Sequence, residues 1–329
     1  MKTGIAGAGM IIPTFLAAQK QIPELEVTAI CGTTRSKDKL EKLALEHGIS
    51  QIFCDYDEML ACPDLSVIYV AVPNHLHASF VRRAMLAGKS VICEKPLCSS
   101  LVQAKELAAL AEEKGVYLFE AITNQYFPNY RKVKELLPEL GAVKIVEINY
   151  SQYSSRYDAF RAGEVLPVFD PKKSGGALMD LNVYNIHFIL GLFGEPKEVR
   201  YFANVERGVD TSGVLVLCYP DFVCTAIAAK DCKAPCCINI QGDQGCITSD
   251  SPSNVFERFR FGKNNGPDRF YELNEVKERF YYELRAFVEM VKTDDRRLHG
   301  EQLQRSLAVQ RILDEARRQA GIEILSEPL

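Results

Sequence analysis

The chain has 329 residues, of which 39 are basic and 43 acidic, so that its net charge is −4 at neutral pH, and 47% are apolar. This length is typical of about two domains, each large enough to bury its own core. The charge balance is mildly acidic and the sequence contains no long basic run. Both features argue against a nucleic-acid-binding protein, which needs a basic surface. We predict no membrane-spanning helix, because no apolar stretch approaches about 18 residues.

Short apolar runs alternate with helical patterns over the first 120 residues. We read the apolar stretch at the start as a strand, a glycine turn and a helix rather than a secretion signal, because three glycines and Pro13 interrupt it. Strands that alternate with helices predict a parallel sheet built from β-α-β units. The predicted strands are residues 2–6, 25–31, 51–53, 67–72, 90–93 and 116–121, and the predicted helices are residues 10–20, 37–47, 57–61, 75–87 and 99–114.

The pattern changes after residue 122. Several strand-like segments follow one another closely, which predicts a mostly antiparallel sheet. The expected architecture is therefore an α/β domain with a parallel sheet over residues 1–122, followed by an α+β domain with an open, mostly antiparallel sheet over residues 123–329. The predicted strands of the second part are residues 143–153, 199–205, 213–219, 223–229, 237–241 and 246–249, and its predicted helices are residues 176–191, 280–292 and 300–320.

The cysteines number 11, an odd count with no regular spacing. Scattered cysteines in a chain of this size indicate reduced thiols and a cytoplasmic protein. One group, Cys232, Cys236, Cys237 and Cys246, matches no common zinc spacing. We therefore predict no bound metal.

A glycine loop follows the first predicted strand and opens the first predicted helix. In the dinucleotide-binding fingerprint the first glycine makes a tight turn, and the second lets the backbone approach the pyrophosphate at the helix N-terminus. Gly7 and Gly9 occupy these positions, and Met10 and Ile11 follow them. The third position, usually Gly or Ala, is Ile12, so the strand–turn–helix context supports the interpretation more than the motif does.

The second predicted strand ends where an acidic residue usually binds the ribose of NAD. Gly32 stands at that position, and Thr33, Thr34 and Arg35 follow it. Hydroxyl groups and an arginine suit a 2′-phosphate, so the sequence favours NADP over NAD. The alternative is an ordinary solvated loop before a helix.

Two polar motifs follow neighbouring predicted strands at their carboxyl ends, where ligands bind in open α/β sheets. The first is Pro73-Asn74-His75-Leu76-His77, and the second is Glu94-Lys95-Pro96. With these motifs the chain resembles the Gfo/Idh/MocA oxidoreductases, named for glucose–fructose oxidoreductase and inositol dehydrogenase. The resemblance rests on residues 7–9, 71–77, 87–96, 175–180 and 280–321.

The resemblance implies a Rossmann domain that binds NAD(P), with Pro73, Asn74 and His77 beside the cofactor. It also implies that Glu94 and Lys95 line the nicotinamide pocket. Family members commonly hold the Lys–Pro bond in the cis form, which we expect for Lys95–Pro96. The open sheet of the second domain often makes oligomer contacts in the family, so a homo-oligomer, dimer or tetramer, is expected.

A further segment, residues 174–187, supplies candidate acid/base groups. Many family members place a catalytic His four residues after the Asp that corresponds to Asp180, whereas here that residue is Tyr184, as in the branch of glucose–fructose oxidoreductase and dimeric dihydrodiol dehydrogenase. On a helix Asp180 and Tyr184 share a face, and His187 nearly does. A core aromatic residue is the alternative for Tyr184, and a structural histidine is the alternative for His187.

The resemblance implies that Lys95 stabilises the reacting oxygen and lowers the pKa of Tyr184, which transfers the proton while Asp180 orients the substrate. Asn124 and Gln125 are weaker candidates for the nicotinamide side, with exposed surface as the alternative. Tyr153 and Arg156 are weaker candidates for the pocket border.

The expected activity is hydride transfer between NADP, with NAD as the alternative cofactor, and a sugar, a cyclitol or a related polyol or carbonyl compound. One alternative is an enzyme that uses bound NAD for transient oxidation during glycoside cleavage, without net redox change. Another is a nucleotide-sensing regulator without catalysis, which would not need Lys95, Asp180 and Tyr184.

Overall fold

The computed structural model describes residues 1–324, which form two compact units. Unit 1 comprises Met1–Ala121 and Glu278–Leu307, and unit 2 comprises Ile122–Lys277 and the described residues from Ala308 onward.

Unit 1 contains a six-stranded sheet in which all paired strands are parallel, in the order β3-β2-β1-β4-β5-β6. This is the order of the doubly wound dinucleotide-binding fold, and it reverses direction between β1 and β4. The predicted parallel sheet is confirmed. The strands are β1 Lys2–Ala6, β2 Glu26–Cys31, β3 Gln51–Phe53, β4 Val67–Val70, β5 Ser90–Glu94 and β6 Leu118–Ala121, and the helices between them are α1 Ile12–Gln19, α2 Lys37–His47, α3 Tyr56–Leu60, α4 His77–Leu86 and α5 Leu101–Lys114.

Helix α5 of unit 1 begins and ends at residues with clear capping chemistry. The Ser100 side chain accepts a hydrogen bond from the Gln103 N–H at the start of α5, and Gly115 ends that helix in the left-handed conformation. The predicted helix at residues 75–87 begins later, at His77, because Asn74–Leu76 forms a single 3₁₀ turn. All four residues of β4 are buried, as expected for a strand covered on both faces.

Unit 2 contains an eight-stranded sheet in the order β14-β13-β12-β11-β7-β10-β9-β8. Every neighbouring pair is antiparallel except β7 and β10, which are parallel, so the predicted mostly antiparallel sheet is confirmed. The elements in chain order are α6 Pro128–Leu136, β7 Val143–Ser151, α7 Tyr157–Arg161, α8 Val183–Phe193, β8 Glu198–Glu206, β9 Val209–Cys218, β10 Val223–Ala229, β11 Cys237–Gly242, β12 Gly245–Ser249, β13 Phe259–Lys263 and β14 Arg269–Tyr271.

The two faces of this sheet differ in burial. On β10, Cys224, Ala226 and Ala228 are buried on one face, where α8 packs. Alternate residues along the strands point to the opposite face. Exposed apolar side chains of unit 2 strands include Ile145, Phe202, Val205 and Val223.

The last helices are α9 Tyr281–Lys292 and α10 Arg296–Gln319. Residues 278–307 pack with unit 1 although they follow unit 2 in sequence, and residues 325–329 of the predicted second domain lie outside the described residues. The packing has an aromatic basis, because Phe287 of α9 stacks on Phe119 of β6 with ring centroids 4.4 Å apart. The Tyr117 hydroxyl also donates a hydrogen bond of 2.6 Å to Asp294.

One segment among residues 1–324, Pro171–Phe193, is long and apolar enough to span a membrane. Polar residues such as Asp180 and Asn185 interrupt the segment, so it is not one continuous apolar stretch. The segment contains α8, and 83% of its apolar window is buried inside the molecule. A buried core helix of a soluble protein passes the same test, so the segment is weak evidence for a membrane span.

Candidate active site

The glycine loop lies between β1 and α1, at the point where the strand order of unit 1 reverses. Gly7 has a φ of +129°, and a Cβ atom there would overlap the carbonyl oxygen of Ala71, so only glycine fits. Ile12 is fully buried in the core, which accommodates the departure from the usual Gly or Ala. No side chain caps the N-terminus of α1 at Ile11. Its first N–H groups therefore suit a phosphate.

The loop after β2 presents hydroxyl groups and one cation. Thr33, Thr34 and Arg35 are exposed, and Arg35 forms no hydrogen bond or ion pair with any described residue. A Cβ atom on Gly32 would lie 2.6 Å from Ser36 Oγ, so a carboxylate side chain at this position would displace Ser36. Ser36 Oγ in turn accepts from the Thr33 N–H at 3.0 Å. The residues present therefore fit a phosphorylated ribose better than a free 2′-hydroxyl.

Glu94, at the carboxyl end of β5, is buried and bound to Tyr69 of β4. The Tyr69 hydroxyl donates a hydrogen bond of 2.5 Å to Glu94 Oε1, and the Tyr69 ring stacks on Phe15. Burial raises the pKa of Glu94, and the hydrogen bond from Tyr69 opposes this shift. The next bond, Lys95–Pro96, is cis, as predicted.

His77 connects the two polar motifs of unit 1. Its Nδ1 lies 2.8 Å from the Pro96 carbonyl oxygen, and its Nε2 lies 2.9 Å from the Val72 carbonyl oxygen. The side chain is buried, and burial lowers its pKa. His77, predicted to contact the cofactor, thus directs both ring nitrogens to backbone carbonyl groups. Pro73 is exposed and Asn74 is half-buried at the same end of β4.

In unit 2 a tight turn precedes the predicted acid/base helix. Gly176 has a φ of +114°, and a Cβ atom there would overlap the carboxylate of Asp210. That carboxylate accepts a hydrogen bond of 2.6 Å from the Leu178 N–H. The chain then forms a π-helical turn over Leu178–Asn182 before α8 begins.

This π-helical turn corrects the prediction of one regular helix over residues 176–191. A π turn contains an additional residue, so Asp180 and Tyr184 are not separated by one regular α-helical turn. Such turns frequently occur at functional sites because they reorient a side chain within a helix.

The three candidate groups on this segment differ in exposure. The Asp180 side chain is 31% exposed and forms an ion pair with Lys230. Tyr184 is 5% exposed, and its ring lies 6.3 Å from that of Tyr150. His187 is 1% exposed. Asp180 is therefore the most accessible of the three.

Two residues that follow β6 bind the backbone and side chains of α8. Asn124 is fully buried, and its Nδ2 donates a hydrogen bond of 2.7 Å to the Tyr184 carbonyl oxygen. Gln125 Nε2 lies 3.1 Å from His187 Nδ1, so with this amide orientation Nδ1 accepts and the ring proton lies on Nε2. Asn124, predicted on the nicotinamide side, and Gln125 therefore hold α8.

The weaker candidates lie near α7. Tyr153 is 39% exposed, and its hydroxyl donates a hydrogen bond of 2.6 Å to Asp158. Arg156 is half-buried at the N-terminus of α7.

Sequence reasoning missed Lys230, although the sequence contained a signal for it. Residues 224, 226 and 228 alternate onto the buried face of β10, and Lys230 continues this alternation beyond the strand. A lysine predicted on a buried face needs an acidic partner, which here is Asp180.

All eleven cysteines are free thiols in the structure. Among residues 1–324, no group of three or more His, Cys, Asp or Glu side chains is arranged to hold a metal ion.

Comparison with known proteins extends the resemblance to the whole chain. The sequence model described as the oxidoreductase family with an NAD-binding Rossmann fold matches residues 1–122, and that of the GFO/IDH/MocA C-terminal domain matches residues 130–248. A scyllo-inositol 2-dehydrogenase (NADP(+)) of Bacillus subtilis, IolU, is 34% identical over 328 residues, which cover 98% of each chain. The chain belongs to the Gfo/Idh/MocA oxidoreductase family.

Further relatives of this Gfo/Idh/MocA protein match less of the chain or share less sequence. A trans-1,2-dihydrobenzene-1,2-diol dehydrogenase of Oryctolagus cuniculus is 30% identical over 66% of this chain and 65% of its own. The 3-ketoreductase KijD10 of Actinomadura kijaniata, in complex with NADP and TDP-benzene, has a TM-score of 0.84 at 22% identity over 97% of both chains. Levoglucosan dehydrogenase, in complex with NADH and levoglucosan, has a TM-score of 0.83 at 18% identity over 98% of this chain and 97% of its own. At these identities the two structures show the fold alone.

The comparisons confirm the predicted enzyme class and cofactor class. The protein is an NAD(P)-dependent oxidoreductase of the Gfo/Idh/MocA family that acts on CH–OH groups.

Proposed function

We propose that the enzyme transfers a hydride between NADP and a CH–OH carbon of a sugar, a cyclitol or a related polyol, or the corresponding carbonyl compound. The observation that carries the proposal is the helical segment that presents Asp180 and Tyr184 in a chain whose other unit has the dinucleotide-binding strand order. The Bacillus subtilis relative is 34% identical to this chain over 98% of its own length, and its name supports a cyclitol substrate and NADP.

The nicotinamide ring, when bound, supplies or accepts the hydride. Lys95 hydrogen-bonds the reacting oxygen and stabilises the negative charge that develops there. Tyr184 donates the proton to this oxygen in reduction and accepts it in oxidation. Asp180, the most exposed of the acid/base candidates, orients a substrate hydroxyl. His187 is buried and bound to Gln125, so it supports α8 rather than exchanging the proton.

NADP is the preferred cofactor in this proposal. The exposed hydroxyls of Thr33 and Thr34 and the guanidinium of Arg35, which pairs with no side chain among residues 1–324, offer hydrogen bonds to a 2′-phosphate. A carboxylate side chain at position 32, which would bind a free ribose hydroxyl, would have to displace the Ser36 hydroxyl.

The enzyme is proposed to act in the cytoplasm as a homo-oligomer, a dimer or a tetramer. Eleven free thiols suit a reducing compartment. Exposed apolar side chains on unit 2 strands, among them Phe202, Ile145 and Val223, suit contact with a second copy.

The test is a panel of cyclitols, sugars and a trans-dihydrodiol, assayed by NAD(P)H absorbance with each cofactor. We expect at least one cyclitol or sugar to be turned over with a higher kcat/KM for NADP than for NAD. NADPH formed in equal amount to oxidised product excludes catalysis by transient oxidation. Tight cofactor binding without turnover of any panel member would refute the proposed activity.

A further inference from the structure

Lys230 lies at the end of β10 and has an unusually buried side chain for a lysine. Its side chain is 6% exposed, and its ammonium group is paired with the carboxylate of Asp180 in the π-helical turn. Its backbone is held on both sides, because its N–H donates to the Thr211 carbonyl oxygen and its carbonyl oxygen accepts from the Ser154 N–H, each at 2.8 Å. The backbone of Lys230 therefore cannot move far without breaking these two hydrogen bonds.

One aromatic ring, that of Phe169, lies near the Lys230 ammonium group. The ammonium lies 6.0 Å from the centroid of the Phe169 ring, at the outer limit of a cation–π contact. Phe169 is fully buried and packs with Phe160 and Val209. The ammonium group therefore has an apolar ring on one side and pairs with the carboxylate of Asp180.

The neighbouring carboxylate of Asp231 has other partners. Its Oδ2 accepts hydrogen bonds of 2.8 Å from the hydroxyls of both Thr211 and Ser212. Asp180 is thus the carboxylate to which the buried cation is bound. Because a buried ammonium without a paired charge is strongly unfavourable, Lys230 and Asp180 depend on each other.

We propose that Lys230 is a positioning residue of the active site, which holds the Asp180 carboxylate in a single orientation toward the substrate. The inference rests on the proposed function, since Asp180 is taken to orient a substrate hydroxyl. It adds a residue fifty positions away from Asp180 in sequence, on another element of the same unit. Lys230 itself acts only through Asp180.

The test is a double-mutant cycle between Lys230→Met and Asp180→Asn, measured as kcat on one substrate from the panel. Lys230→Met should lower kcat about 10- to 100-fold, the range seen when a group that orients a metal ligand is removed. In the Asp180→Asn background Lys230→Met should change kcat little, because the carboxylate through which Lys230 acts is already absent. The affinity for NADPH, measured by fluorescence titration, should remain unchanged in all variants.

Two further variants separate positioning from folding. Lys230→Arg retains the cation and should recover most of the wild-type kcat. Lys233→Met makes the same change at an exposed lysine three residues away and should leave kcat unaltered. If Lys230→Met does not fold, the cycle is replaced by the Arg variant and the double variant, which leaves no unpaired charge.

The outcomes are distinguishable. Equal losses of kcat from Lys230→Met in both backgrounds, or loss of activity in the folded Lys230→Arg variant, would overturn the role of Lys230. A wild-type enzyme that turns over no cyclitol or sugar would instead refute the proposed function. Coupling of the two substitutions in kcat, with unchanged cofactor affinity, supports the inference.

Discussion

We expect Asp210, near the start of β9, to make the stability of unit 2 depend on pH. Its buried carboxylate accepts hydrogen bonds from the Leu178 N–H and, at 2.8 Å, from the Tyr201 hydroxyl. Burial raises its pKa from 3.8 to about 6, and these hydrogen bonds oppose the shift. Because Leu178 begins the π-helical turn that carries Asp180, the ionisation of Asp210 bears on how the candidate active site is held.

The size of this pH effect follows from the difference between the pKa of Asp210 in the folded state and in the unfolded state. A pKa raised by about two units corresponds to about 3 kcal/mol, at roughly 1.4 kcal/mol per unit. The folded state binds the Asp210 proton more tightly than the unfolded state does. The resulting contribution to the free energy of unfolding is therefore fully present below pH 3.8 and is lost as the pH rises through about 6. Asp210→Asn cannot ionise, so the free energy of unfolding of the wild type should fall relative to that of the variant by up to about 3 kcal/mol between pH 4 and pH 7.

The assay is chemical denaturation of wild type and Asp210→Asn at a series of pH values, followed by circular dichroism. Asp221→Asn, which removes an exposed carboxylate of unit 2, is the matched control and should run parallel to the wild type. If the curves of wild type and Asp210→Asn also run parallel across this range, Asp210 does not titrate as its burial implies, and the reasoning is refuted.

Three further predictions concern catalysis, cofactor and assembly. Tyr184→Phe should lower kcat about 10²- to 10⁴-fold without changing cofactor affinity, whereas His187→Asn should lower kcat much less. The measurement is steady-state kinetics of both variants on one substrate. A larger loss of kcat in His187→Asn than in Tyr184→Phe would contradict the assignment. Arg35→Ala should weaken NADP binding by about 1.5–3 kcal/mol and NAD binding hardly at all, as measured by titration with each cofactor. Equal losses of affinity for the two cofactors would argue against a 2′-phosphate site. Phe202→Asp should reduce the oligomeric mass measured by light scattering while the monomer remains folded, whereas an unchanged mass would place the interface elsewhere.

The sheet of unit 1 could be predicted from sequence because each strand is a short apolar run and each helix has its own stop signal. Residues 67–72 were read as a doubly buried strand, and β4 has that character. The two strands β13 and β14 were not predicted. Both are short, and their arginines and the glycine at position 262 obscure any alternation of apolar residues.

The candidate site was harder to predict because its decisive contacts join residues far apart in sequence. The π-helical turn leaves no mark in the apolar pattern, since residues 178–190 are buried nearly all around. The ion pair of Lys230 with Asp180 needs the register of the sheet to be known before the two can be placed together. Local motifs were therefore enough to propose candidate residues near the glycine loop, whereas the residues that support Asp180 could be found only from the fold.

The return of α9 to unit 1 has a consequence for how the protein is made. During synthesis the six strands of unit 1 are complete once Ala121 has been added, yet Phe119 lacks its aromatic partner Phe287, and Tyr117 lacks Asp294. Until α9 leaves the ribosome, this face of the nascent sheet is open to water and to other chains. A protein truncated after residue 122 would carry the same open face permanently, so it should aggregate even though it contains every strand of the nucleotide-binding sheet.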